Sequence, residues 1–361
     1  ERKSAIWKYI KEFKSKYLPE DFPNELILAV ATQETGEYAH WNNEHVANDW
    51  GRGIMQITSD DYVGAATGCT SEDCKKCRKD GTEKKMHCSK HYSNTSKGIE
   101  ANIKDGLYAL RDKYQQVNKD KIQPPEGYMK EEIIWMSTVA RYGPKGFTGY
   151  AYKYIGDVGG KLVELANGYY GDFDEFDTEL ARSLGQKFQK ADRESIRLHS
   201  PGELQVYDST GNVTGLVNGE IREEIPNSIY DSETRTALII FPSHDRYYNV
   251  VGTETESYAL EIASVEGEEV NKFAATDVPT TSGAVHQYTI NWDALAEGEK
   301  GVTIRKDPDG DGKFEETVVT SQPNTPSSPS PLNDASNVST ETDFSWTGGD
   351  PDVGDTVTYD V

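Results

Sequence analysis

Ala29-Val-Ala-Thr-Gln-Glu34-Thr-Gly36, answered by Gly51-Arg-Gly-Ile-Met-Gln-Ile-Thr58, is the pair of stretches on which the reading of the fold turns. Behind Pro23, residues 24–33 form a good helix sequence with Ile27 and Val30 on one apolar stripe. Glu34, four residues past Val30, takes the next position of that stripe. A carboxylate is therefore aimed at the apolar side, at the C-terminal end of a helix and just before Gly36. Desolvation and the negative end of the helix dipole both disfavour its charged form, which suits it to act as a general acid near neutrality. The plainer alternative is an exposed glutamate at a helix end. In the second stretch, Gly51 and Gly53 leave the backbone bare ahead of Ile54, Met55 and Gln56, where a polymer chain can lie close, and Gln56 offers both a donor and an acceptor to a sugar.

Together the two stretches look like a known pair. A glutamate at a helix end, followed after about twenty residues by Gly53-Ile-Met-Gln56, resembles the soluble lytic transglycosylase and goose-type lysozyme families, which share the lysozyme-like fold and cleave the glycan of peptidoglycan. The aromatic turn that those families carry after a later helix has a counterpart in Val139-Ala-Arg-Tyr142-Gly143-Pro144. Gly143 stands where the family usually has Asn, and Thr35 replaces the usual Ser while keeping the hydroxyl. The resemblance covers about the first 170 residues.

It implies an all-α lysozyme-like catalytic domain. Glu34 would be the acid/base, and Thr35, Gly53, Ile54, Met55, Gln56 and Tyr142 would lie along peptidoglycan glycan strands. The bond cut is the β-1,4 link between N-acetylmuramic acid and N-acetylglucosamine. A lytic reaction ends in a 1,6-anhydro sugar and needs one carboxyl and no cofactor. Hydrolysis with inversion, the goose-type alternative, needs a second carboxylate to activate water. Asp49 is the best candidate, with Glu44, Asp60 and Asp61 behind it, and the competing reading of Asp49 is a loop cap beside Gly51. A glycan-binding surface module that has lost catalysis is the alternative from a different functional class.

At 361 residues and a net charge of −23, the chain is long enough for two or three domains and a poor partner for nucleic acid. Residues 1–170 hold 25 Lys and Arg against 24 Asp and Glu, whereas residues 171–361 hold 13 against 37. That break marks a domain boundary. No run of eighteen apolar residues is present, so a transmembrane segment is not expected. Glu1 in place of a starting Met reads as a mature or excised piece.

Within 1–172, Ile6, Ile10, Phe13 and Tyr17 predict an amphipathic helix, with Pro19 and Pro23 separating it from the next. Further helices are expected over 96–114, 130–140, 148–154 and 160–167. The insert 67–92 holds every cysteine, Cys69, Cys74, Cys77 and Cys88, with His87 and His91 alongside. Two disulfides use all four cysteines and suit a secreted or cell-surface protein. A zinc site from Cys74-x2-Cys77 and Cys88-x2-His91 is the alternative, and it leaves Cys69 without a role.

Residues 173–195 read as an acidic, mildly helical connector anchored by Phe173, Phe176, Leu180 and Leu184, so a piece ending near Asp172 is expected to fold alone. Over 196–320 the period changes to that of an all-β sandwich accessory domain, with short runs at 204–207, 237–241, 247–251, 258–262, 285–290 and 302–304 and turns at 208–211 and 266–267. Asp307, Asp309 and Asp311 before Gly312 have the alternation of a structural calcium loop, but Val318 stands where an EF-hand has its closing Glu, although Glu315 and Glu316 lie nearby; a solvated acidic hairpin turn is the other reading. Residues 321–331 form a Pro/Ser linker, and 332–361 carry the first strands of a truncated β module of fibronectin type III-like pattern. The fold class expected is thus multidomain, and the C-terminal modules suit attachment to a larger surface protein.

Overall fold

The structure is a computed structural model, and it describes residues 2–36, 41–42, 51–57, 62–63, 65–66, 92–143, 151–199, 201–243, 245–321, 327–331, 336, 338, 343 and 345–347. A helical region is followed by a β-rich region of two antiparallel sheets. Asp49, Glu44, Asp60, Asp61, His87, His91 and the four cysteines, Cys69, Cys74, Cys77 and Cys88, lie outside the described residues.

The first helix, α1 (Arg2–Phe13), buries Ile6, Ile10 and Phe13 as its spacing demands. Pro23, at φ −67°, opens α2 (Asn24–Ala31). This helix is more than amphipathic, because every residue from Glu25 to Ala31 is buried. A helix apolar all round belongs at the centre of a core, and the other helices pack about it. They are α3 (Ser96–Gln116), capped by Thr95, then α4 (Lys130–Tyr142), α5 (Ala151–Ala166) and α6 (Thr178–Lys190), capped by Asp177.

Two elements differ from the expectation. The two short helices read over 148–154 and 160–167 are one continuous helix, α5. Glycines of this helix and the next serve packing: a Cβ on Gly159 would come within 2.7 Å of the Gly185 carbonyl oxygen, and one on Gly185 within 2.7 Å of the Gly159 carbonyl oxygen. The backbones of α5 and α6 therefore touch at this pair. In the stretch read as a connector, α6 buries Ala181, Leu184 and Phe188 in the same cluster as α1, α2 and α5. Leu180 is exposed, so the apolar face is Ala181, Leu184 and Phe188. Lys187 on α6 reaches both oxygens of buried Glu132 on α4 at 2.8 Å, and Glu25 on α2 accepts from the Asp177 amide.

The β region begins earlier than its pattern suggests. Strand β1 (Arg193–His199) is central to a five-stranded sheet, yet its first two residues, Arg193 and Glu194, are buried charges that hide the alternation. With β2 (Glu203–Asp208), β3 (Val213–Val217), β4 (Glu220–Glu223), β5 (Ser228–Asp231), β6 (Thr236–Ile240), β7 (Arg246–Val251), β8 (Glu256–Glu266), β9 (Glu269–Thr280), β10 (Val285–Ile290), the short helix α7 (Trp292–Ala296), β11 (Val302–Asp307) and β12 (Glu316–Thr320), it forms sheets of order β5-β6-β1-β8-β9 and β12-β11-β10-β7-β2-β3-β4. Further on, β13 (Ser327–Ser330) pairs with β14 (Ser345–Thr347).

Side chains from both large sheets, among them Ile196, Val206, Val250, Leu260 and Tyr288, meet in one apolar cluster. Two polar ties cross between the sheets. Glu194 of β1 accepts from Arg246 and Tyr248 of β7, and Tyr258 of β8 shares hydrogen bonds with His286 and Tyr288 of β10.

The outer face of the five-stranded sheet is covered by helices. Ile229, Leu238 and Ile240 join the helical cluster, and Tyr128 packs on Phe241 with ring centroids 4.6 Å apart. Asn227 exchanges two 2.8 Å hydrogen bonds with the main chain of Gln123, while the Arg193 guanidinium donates to the Tyr152 and Ala191 carbonyls. Among the described residues no helix is long and apolar enough to cross a membrane.

Candidate active site

At Thr32 the α-helical winding of α2 gives way to a π turn, Thr32–Gly36, that carries Glu34. Such wide turns swing the side chains that follow off the helical stripe, and they recur at functional sites. The hydroxyls of this turn hold it in place. Thr32 Oγ1 donates to the Leu28 carbonyl at 2.7 Å, and buried Thr35 Oγ1 lies 3.2 Å from the Ala31 carbonyl oxygen and 3.1 Å from that of Ile54. Thr35 therefore links the Glu34 turn to the second motif.

That motif is a tight loop. Arg52 and Ile57 exchange backbone hydrogen bonds of 3.2 and 3.0 Å, and Gly53 and Gln56 lie at φ +73° and +44° in the turn between them. Ile54 and Met55, expected along the substrate, are fully buried in the helical core, and Gln56 is 9 % exposed with its Nε2 donating to the Gly53 carbonyl. The glycines acquire a structural role. A Cβ on Gly51 would meet Gln56 Oε1 at 2.5 Å, and one on Gly53 would meet Asn102 Nδ2 at 2.3 Å.

Asn102, fully buried on α3, was not anticipated. Its Oδ1 accepts from the Met55 amide at 2.9 Å and its Nδ2 donates to the Arg52 carbonyl at 3.2 Å, so one side chain satisfies both arms of the loop. An amide on the apolar stripe of Ile99 and Ile103 was the signal available in the sequence.

Two phenols complete the arrangement. Tyr142, in the last turn of α4, donates to the Met55 carbonyl at 2.6 Å, where the sequence placed a site residue. Tyr154, in the first turns of α5, donates to Glu34 Oε1. Burial, and then the charge of Glu34, raise both phenols well above the ordinary tyrosine value. Both stay protonated and serve as donors. Gly143 has a reason here too: a Cβ at this position would stand 2.7 Å from the Tyr154 ring, so any side chain would displace the residue that bonds Glu34. Glu34 itself is half-buried.

Comparison with known protein families, curated proteins and solved structures gives no match.

The arrangement stands on its own chemistry. A half-buried carboxyl is held at the end of a central helix, with a neutral phenol donating to one oxygen and a loop pinned beside it by Thr35, Asn102 and Tyr142. Such a carboxyl can give a proton to a bound group, and the phenol can stabilise the carboxylate that remains.

A second cluster lies far along the chain. Asp307, Asp309, Asp311 and Glu315, in the hairpin loop between β11 and β12, bring ligand oxygens within 4.8 Å of one another and could hold a cation. Buried Asp307 already accepts from the amides of Gly310, Asp311 and Gly312, and Lys313 pairs with Asp311. The hairpin reading thus describes the backbone, and Glu315 joins the three aspartates that the sequence singled out.

Proposed function

We propose that this chain is a peptidoglycan-cleaving glycosidase of lytic transglycosylase type, with Glu34 as its acid and base. The observation that carries the reading is the convergence on Glu34 of three separately read motifs: its own helix end, the Gly51–Ile57 loop and Tyr142. They are joined by Thr35 to Ile54 and by Tyr142 to Met55. The resemblance to the lysozyme-like fold families predicts this convergence. A chance match of short motifs does not require it.

In the proposed reaction protonated Glu34 gives its proton to the oxygen bridging the two sugars as the bond from C1 breaks. The carboxylate left behind is stabilised by the Tyr154 hydroxyl. It then takes the proton of the muramyl 6-hydroxyl while that oxygen closes on C1. The product end is a 1,6-anhydro sugar, Glu34 is again protonated, and no water is consumed. One carboxyl suffices. A protein with this activity works at or outside the cell surface, where its substrate lies.

The test is turbidity of a peptidoglycan suspension. Wild type is expected to clear it. Glu34→Gln is expected to sediment with the wall while clearing none of it, since the amide keeps the shape and loses the proton. Binding without clearing by wild type, on every wall type offered, would replace this reading with that of a glycan-binding module.

A further inference from the structure

A cleft of about 680 Å³ lies where the outer face of the five-stranded sheet parts from the helices. The strand register places Asp231, Thr236, Arg197, Glu261 and Ala274 in one row across that sheet, and all five line the cleft. The ion pair of Arg141 on α4 with Glu223 on β4, at 2.7 Å, forms part of its wall. Gly143 and Tyr152 are also in the lining, and Tyr142 and Tyr154, one and two residues away along the chain, belong to the candidate site around Glu34. The cleft and the site are therefore built on the same two segments.

Within that row the unmet hydrogen-bonding capacity lies on the cation, Arg197. Of the row's acids, Glu261 faces His199 at 3.2 Å, and Asp231 accepts from the amides of Glu233 and Thr234. Arg197 has no hydrogen-bond or ion-pair partner among the described residues, and its Nε is buried. A buried Nε–H without an acceptor has lost its hydration uncompensated, a cost that a bound carboxylate offsets through a forked pair of hydrogen bonds to Nε and a terminal nitrogen. Lys272, exposed on β9, adds a second cation to the lining. The aromatic residues of the lining, Tyr152, Tyr230 and Phe273, are all at least nine-tenths buried, so no ring is presented for a sugar to stack on.

We propose that this cleft binds a carboxylate of the peptide attached to the glycan strand, with Arg197 as the anchor and Lys272 as a weaker second contact. The inference rests on the reading of Glu34 as the centre of a peptidoglycan-cleaving site, and it makes the peptide-bearing strand, rather than bare glycan, the preferred substrate.

Calorimetry with three soluble probes tests it: a disaccharide-peptide from peptidoglycan, the same disaccharide without peptide, and the disaccharide-peptide with its carboxylates amidated. Wild type is expected to bind the first at least about tenfold more tightly than the other two. Arg197→Ala should abolish most of that preference and leave binding of the bare disaccharide unchanged, and Lys272→Ala should reduce it by about threefold. Thermal unfolding checks that each variant is folded. Should Arg197→Ala fail to fold, the amidated probe and Lys272→Ala, at an exposed position, decide the matter. Equal wild-type affinity for the three probes, or a preference that survives Arg197→Ala, overturns the inference even if the wall is cleared. A preference that depends on Arg197 in a protein that clears no wall upholds the cleft and refutes the glycosidase.

Discussion

In the helical region buried Thr35 and Asn102 and partly buried Tyr142 all reach the main chain of one loop, 51–57, and the half-buried carboxyl of Glu34 sits beside it. In the sandwich-like region two sets of buried polar side chains reach one another: Glu194 with Arg246 and Tyr248, and Tyr258 with His286 and Tyr288, each set crossing between the sheets. The two groups of hydrogen bonds serve different ends. The second set closes on itself and fastens two layers. The first holds a loop in place beside the half-buried carboxyl of Glu34. On the proposed function, the side chains that serve the loop belong to a site, whereas those that serve each other form a joint.

The largest effect that could break this comparison is expected from truncation. Ending the chain near Asp172 removes Ala181, Leu184 and Phe188 from the helical core, together with the sheet face of Ile229, Leu238 and Ile240. Each large apolar side chain contributes about 1.5–3 kcal/mol when buried, against a total stability of about 5–15 kcal/mol for a typical domain. Loss of cooperative unfolding by circular dichroism is the expected outcome, and a folded, active 1–172 piece would show that the helices need neither α6 nor the sheet.

Next in size is the joint. Glu194→Ala leaves the Arg246 guanidinium, 7 % exposed, without its carboxylate partner and should destabilise the protein by about 3–5 kcal/mol in urea unfolding. Activity per folded molecule should be unchanged. Asn102→Ala should cost less, about 1–3 kcal/mol for the groups left unsatisfied, yet it should lower activity because the Gly51–Ile57 loop loses both of its ties to α3. If both substitutions cost stability alone, the distinction between site and joint fails.

The smallest effect is expected at Tyr154. Tyr154→Phe removes one hydrogen bond from Glu34 and should reduce kcat about tenfold with little change in Tm. The lost bond favoured the charged carboxylate, so the alkaline limb of the pH–rate profile, where the acid loses its proton, should move to higher pH. An unmoved limb would assign Tyr154 to packing alone.

Much of this was legible in the sequence, for reasons that mark where legibility ends. The spacing of Ile6, Ile10 and Phe13, and of Ile99, Ile103, Leu107 and Leu110, is local and reports its helices directly. Glu34, Thr35, the Gly51–Ile57 loop and Tyr142 could be named because they sit in short motifs with a fixed order. Partners brought together by the fold could not: Tyr154 meets Glu34 across 120 residues, and nothing in Tyr152-Lys-Tyr154 says which ring faces inward. Gly159 and Gly185 were unreadable as a contact for the same reason, since a glycine that breaks a helix and one that admits another backbone look alike until both helices are placed. Strand β1 was hidden because Arg193 and Glu194 are buried through partners far along the chain.

Mass spectrometry of glycan digested by wild type in heavy-oxygen water tests the central claim most directly. If Glu34 is the only carboxyl that the chemistry needs, the internal 6-hydroxyl is the nucleophile, and the products end in 1,6-anhydromuramic acid, lighter than hydrolysis products by one water and free of solvent oxygen. Glu34→Gln yields none. Products that are all reducing and all carry the heavy oxygen would contradict the account: water would be the nucleophile, and a second carboxylate such as Asp49 would have to activate it.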